Sequence, residues 1–400
     1  MRVPLPRTGE SSRRRGGGQL ANVSIRNLTK RFGGKNPTTA IDDLDLEIEP
    51  GEFLVLLGPS GCGKTTTLRC IAGLETGEEG SIAFGDRTVF DAAKRINVPP
   101  NKRNIGMVFQ SYALWPHMTV RKNISYPLRT KRVKREQATQ WVEEVAALVD
   151  TTPLLDRYPA QLSGGQQQRI AVARGLVARP ELVLFDEPLS NLDARLRDQV
   201  RSEIHELHGR LGFTAVYVTH DQVEALALGD RLAIMNSGRI EQLATPEQVF
   251  EEPASEYVAG FIGMANRLVF ERHDGAWTLD GEQVEGELDA IAGSSATIVA
   301  RSRAEDVRIA PPEDGVPPGS LSFPALLVDS EFGGRHLDVM VLVGLTRVQC
   351  RIPAGERGSW ARTLQPGQHV LAYLNPRDPA FYDDAGALVS SVGRAVPVGG

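Results

Sequence analysis

From Phe53 to Gly73 the chain reads FLVLLGPSGCGKTTTLRCIAG, residue types whose order describes phosphate chemistry. Lys64, Thr65 and Thr66 stand directly after the loop Gly58, Pro59, Ser60, Gly61, Cys62 and Gly63. Glycines let successive backbone N–H groups turn inward around an anion, and a helix start adds partial positive charge. Lys64 can then reach β and γ phosphates, while the Thr65 hydroxyl can join the shell of a Mg²⁺ ion. The spacing GxxxxGKT is much more specific than a lone GxGxxG.

Further candidates are acids, amides and a histidine at the ends of apolar runs. Leu182 to Phe185 end in Asp186 and Glu187; the first can hold the Mg²⁺ shell and the second can orient or deprotonate an attacking water. Gln110 follows the short run Ile105 to Phe109 and is either a ligand of Mg²⁺ or water, or a structural amide. His220 closes TAVYVTH, where it can donate to a γ-phosphate. Ser163, Gly164, Gly165 and Gln166 open a second helix of the anion-binding kind. Asp193 sits where it can cap a long amphipathic helix. Phe32, beside two glycines, either stacks on a purine ring or fills a hairpin core.

Positioning these groups requires parallel strands that end together. Phe53 to Leu57, Leu182 to Phe185 and the run before His220 are continuous and apolar, as strands buried on both faces are. Loosely alternating strands over Val23 to Glu49 precede them. SIAFGDRTVF reads as a hairpin, residues 91 to 104 as a polar loop, and residues 115 to 160 as helical with a basic approach, TKRVKRE. RLAIMNSGRIEQL is a second hairpin, and TPEQVFEEPASEYVAGFIG supplies closing helices. From Asn266 short alternating runs such as ATIVARS, LDVMVLVG and TRVQCRI predict small β-barrels, with a boundary between Gly260 and Arg267.

Composition narrows the setting. The 400 residues carry 45 basic and 50 acidic side chains, a net charge of −5, so no global basic field points to nucleic acid. Three widely spaced cysteines without a CxxC predict reduced thiols in a cytosolic setting. No apolar run of about 18 residues is present, so the chain is expected not to span a membrane. Arg13 to Arg15 are followed by Gly16 to Gly18 where a twin-arginine export signal would need an apolar segment. Residues 1–20 read as a disordered basic tail.

Together these motifs resemble the ATPase subunit of an ATP-binding-cassette transporter over residues 21–262. GPSGCGKT matches the family's Walker A loop, Gln110 its Q-loop, LSGGQ its signature, LVLFDE its Walker B strand, SNLD its D-loop and His220 its switch histidine. The resemblance implies an α/β P-loop cassette with a helical subdomain at about residues 111–175. An all-β, OB-like regulatory or dimerisation domain of the transport-associated (TOBE) type would follow over residues 266–400. It implies ATP and Mg²⁺ as cofactors, with Thr65, Gln110 and Asp186 at the metal, Glu187 as base, and Phe32 on adenine. It further implies a head-to-tail homodimer in which one protomer's Lys64 and its partner's signature residues enclose one ATP, and in which Asp193 supports communication. The implied function is ATP hydrolysis that energises import of a small solute through separate permease subunits, supplied by an extracellular or periplasmic binding protein, at the cytoplasmic face of the membrane.

More narrowly, the chain resembles the group serving maltose, polyamine, iron and glycerol-phosphate uptake. GMANRL lacks the proline-methionine-asparagine insert of many sugar importers, which shifts the expectation toward polyamine, iron or phosphonate. The arginine-proline-glutamate of the first barrel reads Arg303, Ala304, Glu305. An exporter ATPase and a soluble cassette protein acting on ribosomes or nucleic acid are the rival readings; the C-terminal barrels oppose the first, and the lack of paired cassettes or a long coiled insertion opposes the second.

Overall fold

The computed structural model describes residues 22–34, 37–355 and 360–390, so the expected tail at residues 1–20 lies outside the described residues. The chain falls into two compact units, one drawn from Met1–Val55 and Gly63–Thr219, the other from Leu56–Cys62 and His220–Gly400.

In the first unit, β1 (Val23–Phe32) and β2 (Thr38–Ile48) pair antiparallel, followed by β3 (Phe53–Leu57), α1 (Lys64–Ala72), β4 (Glu79–Phe84), β5 (Arg87–Asp91) and β6 (Ile96–Asn97). The order β2-β1-β4-β5-β6 makes one antiparallel sheet. The expected polar loop at residues 91–104 thus contains a short strand and a 3₁₀ turn over Pro100–Lys102. Then come β7 (Ile105–Val108), α2 (Val120–Thr130), α3 (Arg135–Leu148), α4 (Gly164–Leu176), β8 (Leu182–Asp186), α5 (Ala194–Leu211) and β9 (Thr214–Thr219).

Strands β3, β9, β8 and β7 lie side by side, with β7–β8 and β8–β9 parallel. Every residue of β3, β8 and β9 is buried, which is why their sequences are continuous rather than alternating. Parallel strands end at the same edge, so the loops after β7 and β8 open on one side. Phe53, Phe185 and Tyr217 pack against one another with ring centroids 5.7–6.1 Å apart.

A buried arginine that sequence reasoning missed secures α1. Arg103 is fully buried and donates to the carbonyls of Cys70, Ile71 and Val98 at 2.7–2.8 Å and to Asn97 Oδ1 at 3.0 Å. Burial lowers its pKa to about 10, so it stays charged at neutral pH; it supplies the donor for the Ile71 carbonyl and adds a second to that of Cys70, which also accepts from the Gly73 N–H. Gly73 ends the helix at φ 77°, and a Cβ there would lie 2.5 Å from Arg103 Nε.

The second unit opens with α6 (Gln222–Leu228), the hairpin β10 (Arg231–Asn236) and β11 (Arg239–Ala244), α7 (Pro246–Glu251) and α8 (Glu256–Phe261). There follow β12 (Asn266–His273), β13 (Ala276–Leu279), β14 (Glu282–Gln283), α9 (Asp289–Ala292), β15 (Thr297–Ser302), β16 (Arg308–Ala310), β17 (Leu321–Phe332), β18 (His336–Val343), β19 (Thr346–Pro353), β20 (His369–Leu374), β21 (Ala380–Tyr382) and β22 (Leu388–Ser390).

Two sheets, β14-β13-β12-β15-β21-β22 and β16-β20-β17-β18-β19, share one apolar core including Phe270, Phe323, Leu337, Val341 and Phe381 in a barrel-like arrangement. The strict in–out alternation of β18 reflects one face on that core and one toward solvent. All three cysteines are free and buried, and burial pushes the Cys70 and Cys350 thiols up to about 12. Among the described residues no helix is long and apolar enough to cross a membrane.

Candidate active site

The first helix of the first unit starts without a side-chain cap. Gly63 is its N-cap residue at φ 105°, a left-handed conformation that favours glycine, and as a glycine it brings no capping side chain. Lys64 is buried, 4% exposed, and Thr65 and Thr66 are half-buried. The Thr67 hydroxyl donates to the Gly63 carbonyl at 3.0 Å, which fixes the first turn from behind.

Thr65 and Asp186, 121 positions apart in sequence, meet at this end. The Thr65 hydroxyl donates to Asp186 Oδ1 at 3.2 Å. Burial raises the Asp186 pKa, and the neighbouring Glu187 raises it further, while Thr65 and Arg69 act in the opposite sense. A buried carboxylate with a hydroxyl beside it is a hard-oxygen donor pair of the kind Mg²⁺ takes when phosphates complete its shell. No group of three His, Cys, Asp or Glu side chains that could hold a metal occurs among the described residues.

Glu187 is half-buried at φ 44°, an uncommon conformation for a non-glycine residue. Its N–H donates to the Val218 carbonyl at 3.1 Å, and its own carbonyl accepts from the Ser190 hydroxyl at 3.0 Å. Asp186 is buried and Glu187 half-buried, so the adjacent carboxylates have different surroundings.

Gln110 lies past the end of β7, and its side chain is exposed. Its carbonyl accepts from Asn191 Nδ2 at 2.8 Å, tying the loop after β7 to the one after β8. Asp193 caps α5 by accepting from the Leu196 N–H at 3.0 Å. Ser163 caps α4: its hydroxyl accepts from the Gln166 N–H at 3.4 Å, and Gln166 Oε1 accepts from the Ser163 N–H at 3.0 Å. Gly164 and Gly165 follow, where added Cβ atoms would lie 3.2 Å from Leu192 and 2.7 Å from Leu196.

Arg174, on α4, is a residue the sequence reading passed over. It is buried and donates to the carbonyls of Tyr112 at 2.7 Å and Ala113 at 2.5 Å, with its guanidinium 5.2 Å from the Trp115 ring centroid. Burial lowers its pKa to about 10. An arginine four residues after Ile170 and three before Val177, on an otherwise apolar face, was the available signal. Phe32, at the end of β1, is 42% exposed with Lys30 Nζ 4.8 Å from its ring centroid, so it is a surface ring rather than a core one.

In the second unit, Gly58 and Cys62 are buried and Pro59, Ser60 and Gly61 exposed. Gly61 has φ 83°, and a Cβ on Gly58 would lie 2.5 Å from the Met235 carbonyl oxygen. The Cys62 carbonyl accepts from the Gly238 N–H at 3.0 Å, holding the loop against the β10–β11 turn. His220 is exposed and directly precedes Asp221, which caps α6 by accepting from the N–H groups of Val223 and Glu224.

A family profile described as ABC transporter matches residues 41–190. The trehalose/maltose import ATP-binding protein of Thermococcus litoralis is 53% identical over 244 residues, 61% of this chain and 65% of that protein. The sn-glycerol-3-phosphate import ATP-binding protein of Ruegeria pomeroyi is 48% identical over 270 residues, 67% of this chain and 74% of that one. The chain spans just under two thirds of the length of several such relatives, 64% for the sn-glycerol-3-phosphate import ATP-binding protein of Cupriavidus pinatubonensis. A solved dimeric ATP-binding cassette in a post-hydrolysis state, bound to ADP and Pi, is 31% identical, with a TM-score of 0.49 over 56% of this chain and 98% of that one. At 48% identity over 270 residues that cover 74% of an import ATP-binding protein, the chain belongs to the importer-type ATP-binding cassettes of the ABC transporters.

Proposed function

We propose that this protein hydrolyses ATP and couples the cycle to import of a small solute through separate membrane permease subunits. The observation that carries the reading is the Thr65–Asp186 hydrogen bond at the uncapped start of α1. It brings the two hard-oxygen donors of a Mg²⁺-nucleotide site together beside Lys64. Thr65 and Asp186, with Gln110, would hold Mg²⁺, whose charge offsets negative charge developing on the phosphates. Residues Gly58 to Thr66 bind and orient the phosphates, Glu187 accepts a proton from the attacking water, His220 donates to the γ-phosphate, and Phe32 stacks on the base.

Two protomers assemble head to tail, so that Ser163, Gly164, Gly165 and Gln166 of one face the nucleotide held by the other, with Asp193 at the seam. The chain is peripheral at the cytoplasmic face and meets its solute-binding protein only through the permease. Residues 21–262 form the ATPase domain, with helical subdomain 111–175, and residues 266–400 a dimerising and docking domain. Relatives named for trehalose/maltose, sn-glycerol-3-phosphate and sulfoquinovosyl glycerol support a sugar or glycerol-phosphate cargo over polyamine, iron or phosphonate.

The direct test is Glu187→Gln in the full chain. ATP binding is retained while turnover falls by about 10²–10⁴-fold, the usual contribution of a general base; unchanged turnover would remove Glu187 from that role. Affinity purification from gently solubilised membranes tests coupling. A stoichiometric permease supports import, whereas recovery with ribosomal proteins alone would overturn it.

A further inference from the structure

Lys30 and Phe32 are two apart on β1, so both side chains leave the same face of the strand while Arg31 leaves the other. Arg31 pairs with Glu78 and Glu79, at 3.4 and 2.8 Å. Lys30 instead places its Nζ 4.8 Å from the Phe32 ring centroid and 3.9 Å from Glu75 Oε2. Its side chain is only 15% exposed. A lysine near a strand end ordinarily extends into water, because its ammonium is strongly hydrated and its stem loses rotamer freedom when held. Here it lies folded between an aromatic face and an acid.

The acid is fixed from the other side. Glu75 follows α1, and its N–H and that of Leu74 both donate to the Arg69 carbonyl in the last turn of that helix, at 3.2 and 2.9 Å. The Glu78 N–H donates to the Thr29 carbonyl at 2.8 Å, so the same segment is bound to β1 directly beside Lys30. Lys30 thus joins the Phe32 ring to the helix whose first residue is Lys64. One face of the ring carries the ammonium, which leaves the other for a planar base. A cation over one face draws π density toward itself, and the opposite face becomes better matched to an electron-rich ring. Among the nucleobases, purines present the larger and more polarisable ring system.

We infer that Lys30 is a positioning residue for Phe32 and sets the ring as a platform for a purine: its ammonium holds the ring and polarises the face turned to the base, while Glu75 holds the ammonium. The inference rests on the reading of Phe32 as the base-stacking residue. In this role Lys30 touches no phosphate, so its contribution is confined to ligands that carry a base.

Lys30→Met in the full chain keeps the length of the stem and removes the charge. It is compared with wild type by calorimetric titration of Mg²⁺-ADP and of Mg²⁺-pyrophosphate. ADP affinity falls about threefold, the scale of a cation–π contact at an exposed ring, while pyrophosphate affinity is unchanged. Lys30→Arg retains ADP affinity, because a guanidinium also acts over a ring. In a Phe32→Ala background Lys30→Met has no further effect, as a double-mutant cycle requires of a residue that acts only through the ring. Equal losses for ADP and pyrophosphate would overturn the inference by making Lys30 an ordinary positive charge near the phosphates. Tighter ADP binding would overturn it by showing that the ammonium occupies the place of the base. So would an ADP loss that persists in Phe32→Ala, or a lower thermal midpoint with ADP affinity intact, which assigns the lysine to stability alone. Undiminished ADP affinity in Phe32→Ala would instead overturn the base-stacking reading, so the two failures are distinguishable.

Discussion

The two glycine-bearing helix starts of the first unit, at Lys64 and at Gly164, look alike in sequence and differ in chemistry. At α1 the cap residue is a left-handed glycine that brings no capping side chain, and the Thr65 hydroxyl and Asp186 carboxylate lie beside it. At α4 a reciprocal Ser163–Gln166 box already occupies the corresponding groups. An anion approaching α4 must compete with the chain's own serine. The far ends differ as well: Arg103 locks α1 to its own carbonyls, whereas Arg174 ties α4 to the loop at Tyr112 and Ala113. One helix is built as a fixed cradle, the other as an element linked to a loop.

The contrast breaks first at the locks. Arg103→Met removes a fully buried cation and takes the donors from the Ile71 and Val98 carbonyls, while the Cys70 carbonyl keeps the Gly73 N–H; at about 1–3 kcal/mol for each carbonyl left unsatisfied, this lowers the thermal midpoint more than any change at a helix start. A loss below about 1 kcal/mol by urea denaturation would show that α1 does not depend on this lock. At the cradle itself, Gly63→Ala forces a side chain into φ 105°, a strain of about 1–3 kcal/mol, and weakens binding of a fluorescent ATP analogue. Undiminished affinity would deny the left-handed turn its role.

Ser163→Ala gives a smaller effect of a different kind. Losing the cap costs about 1 kcal/mol of stability, while nucleotide affinity of the isolated protomer is unchanged because α1 alone supplies that protomer's anion site. Equal losses of affinity from Gly63→Ala and Ser163→Ala would erase the distinction between the two ends.

The smallest effect is in pH. Burial raises the Asp186 pKa, so the folded chain holds this proton more tightly than the unfolded one. Stability of the nucleotide-free chain therefore falls as pH rises from the ordinary carboxylate range through the raised value. With Asp186 at Mg²⁺ as proposed, the metal competes with the same proton, so the Mg²⁺ concentration that half-saturates nucleotide binding rises as pH falls through that window. Asp186→Asn removes the dependence, and a Mg²⁺ titration at several pH values reads it.

Much of this was legible without coordinates. Continuous apolar runs marked the buried parallel strands because strands covered on both faces have no polar side to display. GxxxxGKT marked the loop and helix start, since the glycine at position 63 is required by a local backbone angle. Alternation marked the β domain, and its strands stand where LDVMVLVG and TRVQCRI were read. Local chemistry of this kind is written within a few residues, and sequence displays it directly.

What only the tertiary structure decided is which groups meet. Thr65 and Asp186 are far apart in the chain, and their 3.2 Å hydrogen bond exists because β8 delivers its carboxylate to the start of α1. Asp193 could be read as a cap, and it caps α5; Ser163, read as opening an anion-binding helix start, also caps α4. Arg103 and Arg174 carry no motif at all. Their burial and their partners depend on long-range packing that residue type and spacing leave open. Sequence determines which residues can do the chemistry; the fold determines which of them share a site, because side-chain distance is a property of three dimensions and not of chain position.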